Sequence, residues 1–559
     1  MDTVGSYLAT RLAQIGLKHH FVVPGDYNLA LLDQLLLNES MKQVNCTNEL
    51  NCAFSAEGYA RANGAAACVV TYSVGAFSAF DGIGGAYAEN LPVILISGAP
   101  NTNDYGGGHL LHHTLGTYDF SYQIEMAERF TCEAVAIRRA EDAPGLIDKA
   151  IRSALLDKKP AYIEIPSNLA IAACAPPGPI SAVGDPVPSD RASLEAAVDA
   201  AAKFLAKSLK PMLLAGPKLR IAGAEAAFLK LAEAMGCAVA VMPGAKSFFP
   251  EQHRQFIGVS WGEVSTLGAN AIVDWSDGIV CAGTVFTDYS TVGWTAVPGK
   301  HALTADFDRV RMPGADFGRV RLADFLSALA EKVKRNDATM VEYRRLRPEP
   351  PRAPAPQPKA KLNRGEVCRQ IQGLLSPNTT VVAETGDSWF NAAQLSLPNG
   401  ARFEIEMQWG HIGWSVPASF GYALGAPGRQ ILVMVGDGSF QMTAQEVSQM
   451  VRQRLPVILF LMNNRGYTIE VEIHDGPYNN IKNWDYAALV EAFNAGEGSA
   501  RGYRATNGEE LADAIAKAKN NTTGPTLIEC VIDRDDCSRE LISWGHRVGA
   551  ANGRPPKEA

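Results

Sequence analysis

Short, continuous apolar runs recur along this chain at strand length. FVV at 21–23, CVV at 68–70 and VILIS at 93–97 lie near its beginning; VVAET at 381–385, ILVMV at 431–435 and VILFLMNN at 457–464 lie near its end. Runs this apolar leave no face for water. They are buried on both sides, which points to parallel sheets covered by helices. The intervening stretches suit those helices. LNCAFSAEGYARANG at 50–64 ends on a glycine fit for a helix C′ position, and residues 441–454 read as a helix between the last two strands. The fold class is therefore α/β, built of doubly wound, mainly parallel sheets. In such sheets ligands bind beyond the carboxyl ends of the strands, so the residues after each run carry the chemical interest.

Two proline-rich stretches, Pro176–Pro188 and Pro348–Pro358, read as semi-rigid linkers. They divide the chain into three domains, 1–175, 190–342 and 361–559, each of ordinary domain size. A composition of 47% apolar and 20% charged residues excludes a wholly disordered chain. The net charge of −8 argues against nucleic acid and anionic membrane as partners. No apolar run approaches the ~20 residues that span a bilayer, and the acid at position 2 is unlike a secretion signal, so a cytoplasmic location is expected. The ten cysteines form no C-x-x-C pair and read as buried, reduced thiols.

The strongest local signal follows ILVMV. Gly436-Asp437-Gly438-Ser439 sets an acid between glycines at a strand's carboxyl end, and the next strand ends in Asn463-Asn464. A bare GDG is usually a turn. Joined to NN across a βαβ unit, it presents a carboxylate and an amide oxygen side by side, a hard oxygen site suited to Mg²⁺. The helix that follows offers free N–H groups to a diphosphate.

GDG followed by NN resembles the signature of thiamine-diphosphate enzymes. TNELNCAFSAEGYAR around Glu49, the HHTLG loop and EMQWGHIGWSVPA further resemble the thiamine-diphosphate-dependent 2-oxo acid decarboxylases, and the likeness runs over essentially the whole chain. It implies three domains: one for the aminopyrimidine, a middle domain, and one for the diphosphate. By that likeness Asp437, Asn464 and the Gly466 carbonyl hold Mg²⁺. Asp387, Gly438, Ser439 and the turn Asn464, Arg465, Gly466, Tyr467, Thr468, Ile469 line the diphosphate site. Glu49, in surroundings poor in charge that suggest burial, bonds the pyrimidine N1′. Gly410 offers its carbonyl to the 4′-amino group, His411 lies beside it, and Ile412 wedges between the cofactor rings.

The resemblance also assigns proton transfer to Asp26, His112 and His113. A zinc reading of the two histidines lacks Cys or Glu partners at ligand spacing. Glu470 is expected to be buried beside Ile469 and Ile473 and to meet the substrate carboxylate, with Glu472 facing solvent. Tyr289, Thr385, Trp389, Ile469, Ile473 and Trp544 are expected to line a small substrate pocket. The implied reaction is non-oxidative decarboxylation of pyruvate to acetaldehyde and CO₂. The alternative is a relative acting on larger 2-oxo acids such as indolepyruvate or phenylpyruvate. Because Glu49 and Asp437 belong to different domains yet serve one cofactor, the likeness implies a homodimer or a homotetramer with sites at subunit interfaces.

Overall fold

The computed structural model describes residues 2–299, 301–346 and 358–556. It contains three sheets. The first is wholly parallel, in the order Lys42–Asn45, His19–Val22, Ala66–Val70, Val93–Ala99, Ala161–Pro166, Glu133–Ala136. The third is also wholly parallel: Arg402–Ile405, Thr379–Ala383, Gln430–Gly436, Ile458–Asn463, Thr526–Val531, Arg501–Ala505. In chain order both run 2-1-3-4-6-5, so the two outer sheets share one topology. The middle sheet has seven strands. Phe256–Val259, Ala238–Val241, Pro211–Ala215, Gly278–Ala282 and Ala302–Ala305 are parallel, and Arg309–Met312 and Ala315–Gly318 close one edge antiparallel.

The apolar runs are buried on both faces because each face meets a different core. Successive strand residues point to opposite sides of a sheet. Ile431, Val433, Val435, Leu459 and Leu461 join the core of the first sheet, whereas Leu432, Met434, Ile458, Phe460 and Met462 join that of the middle domain. The two faces of the third sheet thus feed two different cores, each continuous with one of the other domains.

One helix pair fixes the outer domains to each other. Helix Glu49–Asn63 starts with Asn48 accepting from the Asn51 N–H at 2.8 Å and ends on Gly64 at φ +93°. It packs on helix Ser415–Gly425 at backbone contact. A Cβ on Gly58 would lie 1.9 Å from the Ala418 carbonyl oxygen, and one on Gly421 would lie 1.7 Å from that of Ser55. Each glycine sits three residues beyond the carbonyl its own helix offers, so the contact is reciprocal.

Two expectations need correction. The helix expected over 441–454 is broken into Asp437–Thr443, a 3₁₀ turn Ala444–Glu446, and Val447–Arg452. The break serves side chains. Thr443 donates to the Gly413 carbonyl at 2.6 Å, and Glu446 turns inward to accept from Thr47 and Asn51. The first proline-rich stretch is more than a spacer, since it includes a helical turn, Ser181–Gly184, with Val183 buried. Of the second, residues 348–357 lie outside the described residues.

Candidate active site

At the carboxyl end of strand Gln430–Gly436, Asp437 opens its helix almost fully buried. Its carboxylate accepts from the Gly438 N–H at 2.8 Å and the Arg465 N–H at 2.5 Å. Burial pushes its pKa up to about 6, while those backbone donors pull the other way. Arg465, at φ +69°, makes the tight turn that brings the chain back over Asp437. Asn464 donates its amide N–H to Thr468 Oγ1, which leaves the amide oxygen as its free end. Tyr467 lies across Gly438 so closely that a Cβ there would meet its ring at 2.4 Å.

Above Asp437 opens a cleft lined among others by Thr385, Asp387, Ile412, Gly438, Ser439, Asn464, Gly466, Tyr467, Thr468 and Ile469. Gly386, at φ +128°, and Gly436 also line it, and a Cβ on either would meet nothing within 4 Å. Their bare backbones form a cradle for a ligand that must approach the main chain closely. The Thr385 hydroxyl is buried and unpartnered at its rim. An oxygen donor set below, two open glycines and an unsatisfied hydroxyl fit a metal-bound diphosphate.

The remaining candidates are held in place around this cleft. Asp387 lines it, but its carboxylate is taken up by Ser538 and by Asn391 at 2.7 Å, anchoring the start of helix Arg539–Asn552. Burial raises the Asp387 pKa, and those donors partly offset it. Gly410 adopts φ +70°. His411 donates its backbone N–H to Glu406 at 2.8 Å, and its Nε2 lies 3.1 Å from Asp81 of the first domain. Burial opposes its protonation, but Asp81, the Ile412 carbonyl and Glu384 together outweigh it and raise its pKa. Trp544 is fully buried and donates to the Tyr289 carbonyl at 3.0 Å, and Trp261 donates to the same oxygen at 2.8 Å. Trp389 is also buried, edge-on to the Tyr289 ring at 6.1 Å. Within one chain these tryptophans are buried, and none of them lines this cleft.

Glu49 is half-buried rather than enclosed; its Oε1 lies 3.0 Å from where a Gly75 Cβ would stand. Its turn is tied to the third domain through Thr47 and Glu446. The expectation for the 470s is reversed in the single chain. Glu470 is exposed and Glu472 half-buried, because helix Arg539–Asn552 packs Gly545 against the Glu472 backbone. Ile473 is half-buried. Asp26 bonds His112 Nε2 and lies 3.5 Å from His113 Nε2.

Two acids that the sequence did not reveal shape the neighbourhood. Glu384 is fully buried and accepts from Thr385, from the Ser415 backbone and from the Ser415 hydroxyl, at 2.7–3.0 Å, which fixes the loop that carries Ile412. Glu406 is buried with one oxygen unpartnered. The only sequence signal for Glu384 was an acid directly after an apolar run.

Three family matches fall along the chain. Residues 2–122 match the thiamine pyrophosphate enzyme N-terminal TPP binding domain, 198–329 the central domain, and 384–530 the C-terminal TPP binding domain. A probable pyruvate decarboxylase of Schizosaccharomyces pombe is 66% identical over 99% of this chain and 97% of its own length. This chain belongs to the pyruvate decarboxylase family. The pyruvate decarboxylase of Neurospora crassa is 62% identical over the same shares, and pyruvate decarboxylase 3 of Arabidopsis thaliana 47% identical over 99% of this chain and 94% of its own. The chain is a thiamine-pyrophosphate-binding α/β architecture of three domains. No helix among the described residues is long and apolar enough to cross a membrane.

Proposed function

We propose that this chain decarboxylates pyruvate to acetaldehyde and CO₂ without oxidation, using thiamine diphosphate held by Mg²⁺. The observation that carries the reading is the buried Asp437 carboxylate beneath a glycine-lined cleft, with Asn464 on the lining of the same cleft. Asp437, Asn464 and the Gly466 carbonyl would hold the metal, and the Gly438–Ser439 helix start and the 464–469 turn the diphosphate. When bound, the cofactor supplies an electron sink for the pair released as CO₂ departs, which no side chain provides. Glu49 would hold a proton at the pyrimidine N1′. Ile412 would keep the cofactor folded from its position on the Glu384-anchored loop. Asp26, His112 and His113 would deliver the proton that completes the aldehyde, and Glu470 would orient the substrate carboxylate once a second chain covers it.

On this reading residues 1–175 bind the pyrimidine end, 361–559 the diphosphate end, and 190–342 link them. The site is shared between two chains of a homodimer, two of which make a homotetramer working in the cytoplasm in fermentation. CO₂ and acetaldehyde release from pyruvate, with and without thiamine diphosphate and Mg²⁺, tests the reaction. Failure with both present refutes it, and faster turnover of phenylpyruvate would favour the larger-substrate relative. Glu49→Gln is expected to bind the cofactor yet lose most activity. Mixing Glu49→Gln chains with Asp437→Asn chains tests sharing: reassembled pairs regain activity only if each site draws on both chains.

A further inference from the structure

Two neighbouring histidines on an extended strand point to opposite sides. In the loop after Thr102–Asp104 they do not. His113 adopts φ +56°, a left-handed conformation uncommon for any residue but glycine, and this turns its ring to the same side as that of His112. The rings meet edge to face at 4.8 Å. Tyr27 stacks flat on His112 at 4.9 Å and donates its hydroxyl to the His112 carbonyl at 3.3 Å, backing the pair from behind. Asp26, just before that tyrosine, reaches both imidazoles: one carboxylate oxygen bonds His112 Nε2, and the other lies 3.5 Å from His113 Nε2. The third partner that the sequence spacing lacked is thus supplied from 86 residues away.

Two imidazole nitrogens and one carboxylate oxygen within 4.8 Å of one another form a compact donor set. Around a tetrahedral Zn²⁺, with bonds of about 2.0–2.1 Å, donor atoms stand roughly 3.3 Å apart. Small rotations of exposed side chains suffice to reach that spacing, since His112 is 60% and Asp26 49% exposed. Three protein ligands leave a fourth position open. We propose that Asp26, His112 and His113 form a binding site for a divalent transition-metal ion of the Zn²⁺ or Cu²⁺ type, separate from the Mg²⁺ site at Asp437.

Ligand chemistry keeps the two sites apart. Imidazole suits Zn²⁺, Co²⁺ and Cu²⁺, whereas Mg²⁺ takes oxygen and keeps its waters. A metal here captures the imidazole lone pairs and displaces their protons, so binding strengthens as pH rises. It also removes all three groups from proton transfer. That consequence, unlike the site itself, rests on the proton-delivery role assigned above.

The test is titration of the holoenzyme, with Mg²⁺ and thiamine diphosphate bound, by Co²⁺ followed in the visible spectrum and by Zn²⁺ in competition with a chromogenic chelator. One ion per chain is expected, with tetrahedral Co²⁺ bands. Asp26→Asn and His113→Ala should each weaken binding tenfold or more, while His109→Ala, in the same loop, leaves it unchanged. No Zn²⁺ bound, unaltered affinity in both site variants, or a thiolate-to-Co²⁺ band that assigns the ion to cysteine would overturn the proposal. In a parallel measurement, Zn²⁺ should halt CO₂ release from pyruvate, and a chelator with fresh Mg²⁺ should restore it. Binding without inhibition upholds the metal site and refutes the proton-delivery role.

Discussion

Substitution of Gly421 by alanine tests the contact that joins the outer domains. The added Cβ would stand 1.7 Å from the Ser55 carbonyl oxygen, and ordinary contact begins at 3.4 Å, so the helices must part by about 1.7 Å. The opposing atom is backbone, so no rotamer change relieves it. Overpacking of this kind costs about 1–3 kcal/mol, and this displacement belongs at the upper end. Alanine returns up to about 1 kcal/mol through helix propensity, which leaves a net loss of about 2 kcal/mol. Gly58→Ala, facing the Ala418 oxygen at 1.9 Å, should behave alike. One parting of the helices accommodates both methyls, so the double variant should lose clearly less than the sum of the two. Gly145→Ala is the control. That glycine is exposed in helix Ala143–Asp157, with nothing within 4 Å of its would-be Cβ, and its substitution should be neutral or slightly stabilising. Urea and thermal unfolding midpoints read all four. Wild-type stability in Gly421→Ala, or full additivity in the double variant, would refute the reciprocal-contact argument.

Three further outcomes are expected. His20 is fully buried with both ring nitrogens unpartnered, and burial lowers its pKa to about 4. Its stabilising share is intact above the unfolded value of 6.5 and is lost as pH falls toward 4, by about 3 kcal/mol; His20→Leu should flatten that acid limb in urea midpoints taken from pH 7 to pH 5. Asp437→Asn should weaken Mg²⁺ retention at least tenfold, read by metal analysis after dialysis with thiamine diphosphate. Ser538→Ala strips Asp387 of a donor and leaves a buried carboxylate short of partners, at about 1–3 kcal/mol; faster proteolytic loss of helix Arg539–Asn552 is the readout.

The parts of the fold that the sequence disclosed are those set by local pattern. ILVMV and VILFLMNN are strands because an unbroken apolar run has no other burial, and GDG with NN lies at strand ends because glycine and small polar residues stop the runs. What stayed hidden depends on partners far along the chain. Glu446 looks like a helix surface acid, yet it is buried because Thr47, 399 residues away, donates to it. Trp544 lies in the last helix, yet its ring N–H answers a carbonyl of the middle domain, 255 residues away. Glu470 and Glu472 exchange their expected exposures because the C-terminal helix covers one and not the other. Sequence spacing carries no record of such long-range packing.

The shared strand order of the outer sheets, together with their reciprocal helix contact, gives the chain the character of a symmetric pair tied into one polypeptide by the middle domain. Two identical subunits meeting on a twofold axis must carry every change twice. Once the halves are covalently joined, each drifts alone. One half could keep an acid at the head of its helix while the other acquired the glycine–aspartate turn, a division of labour closed to any strictly symmetric ancestor.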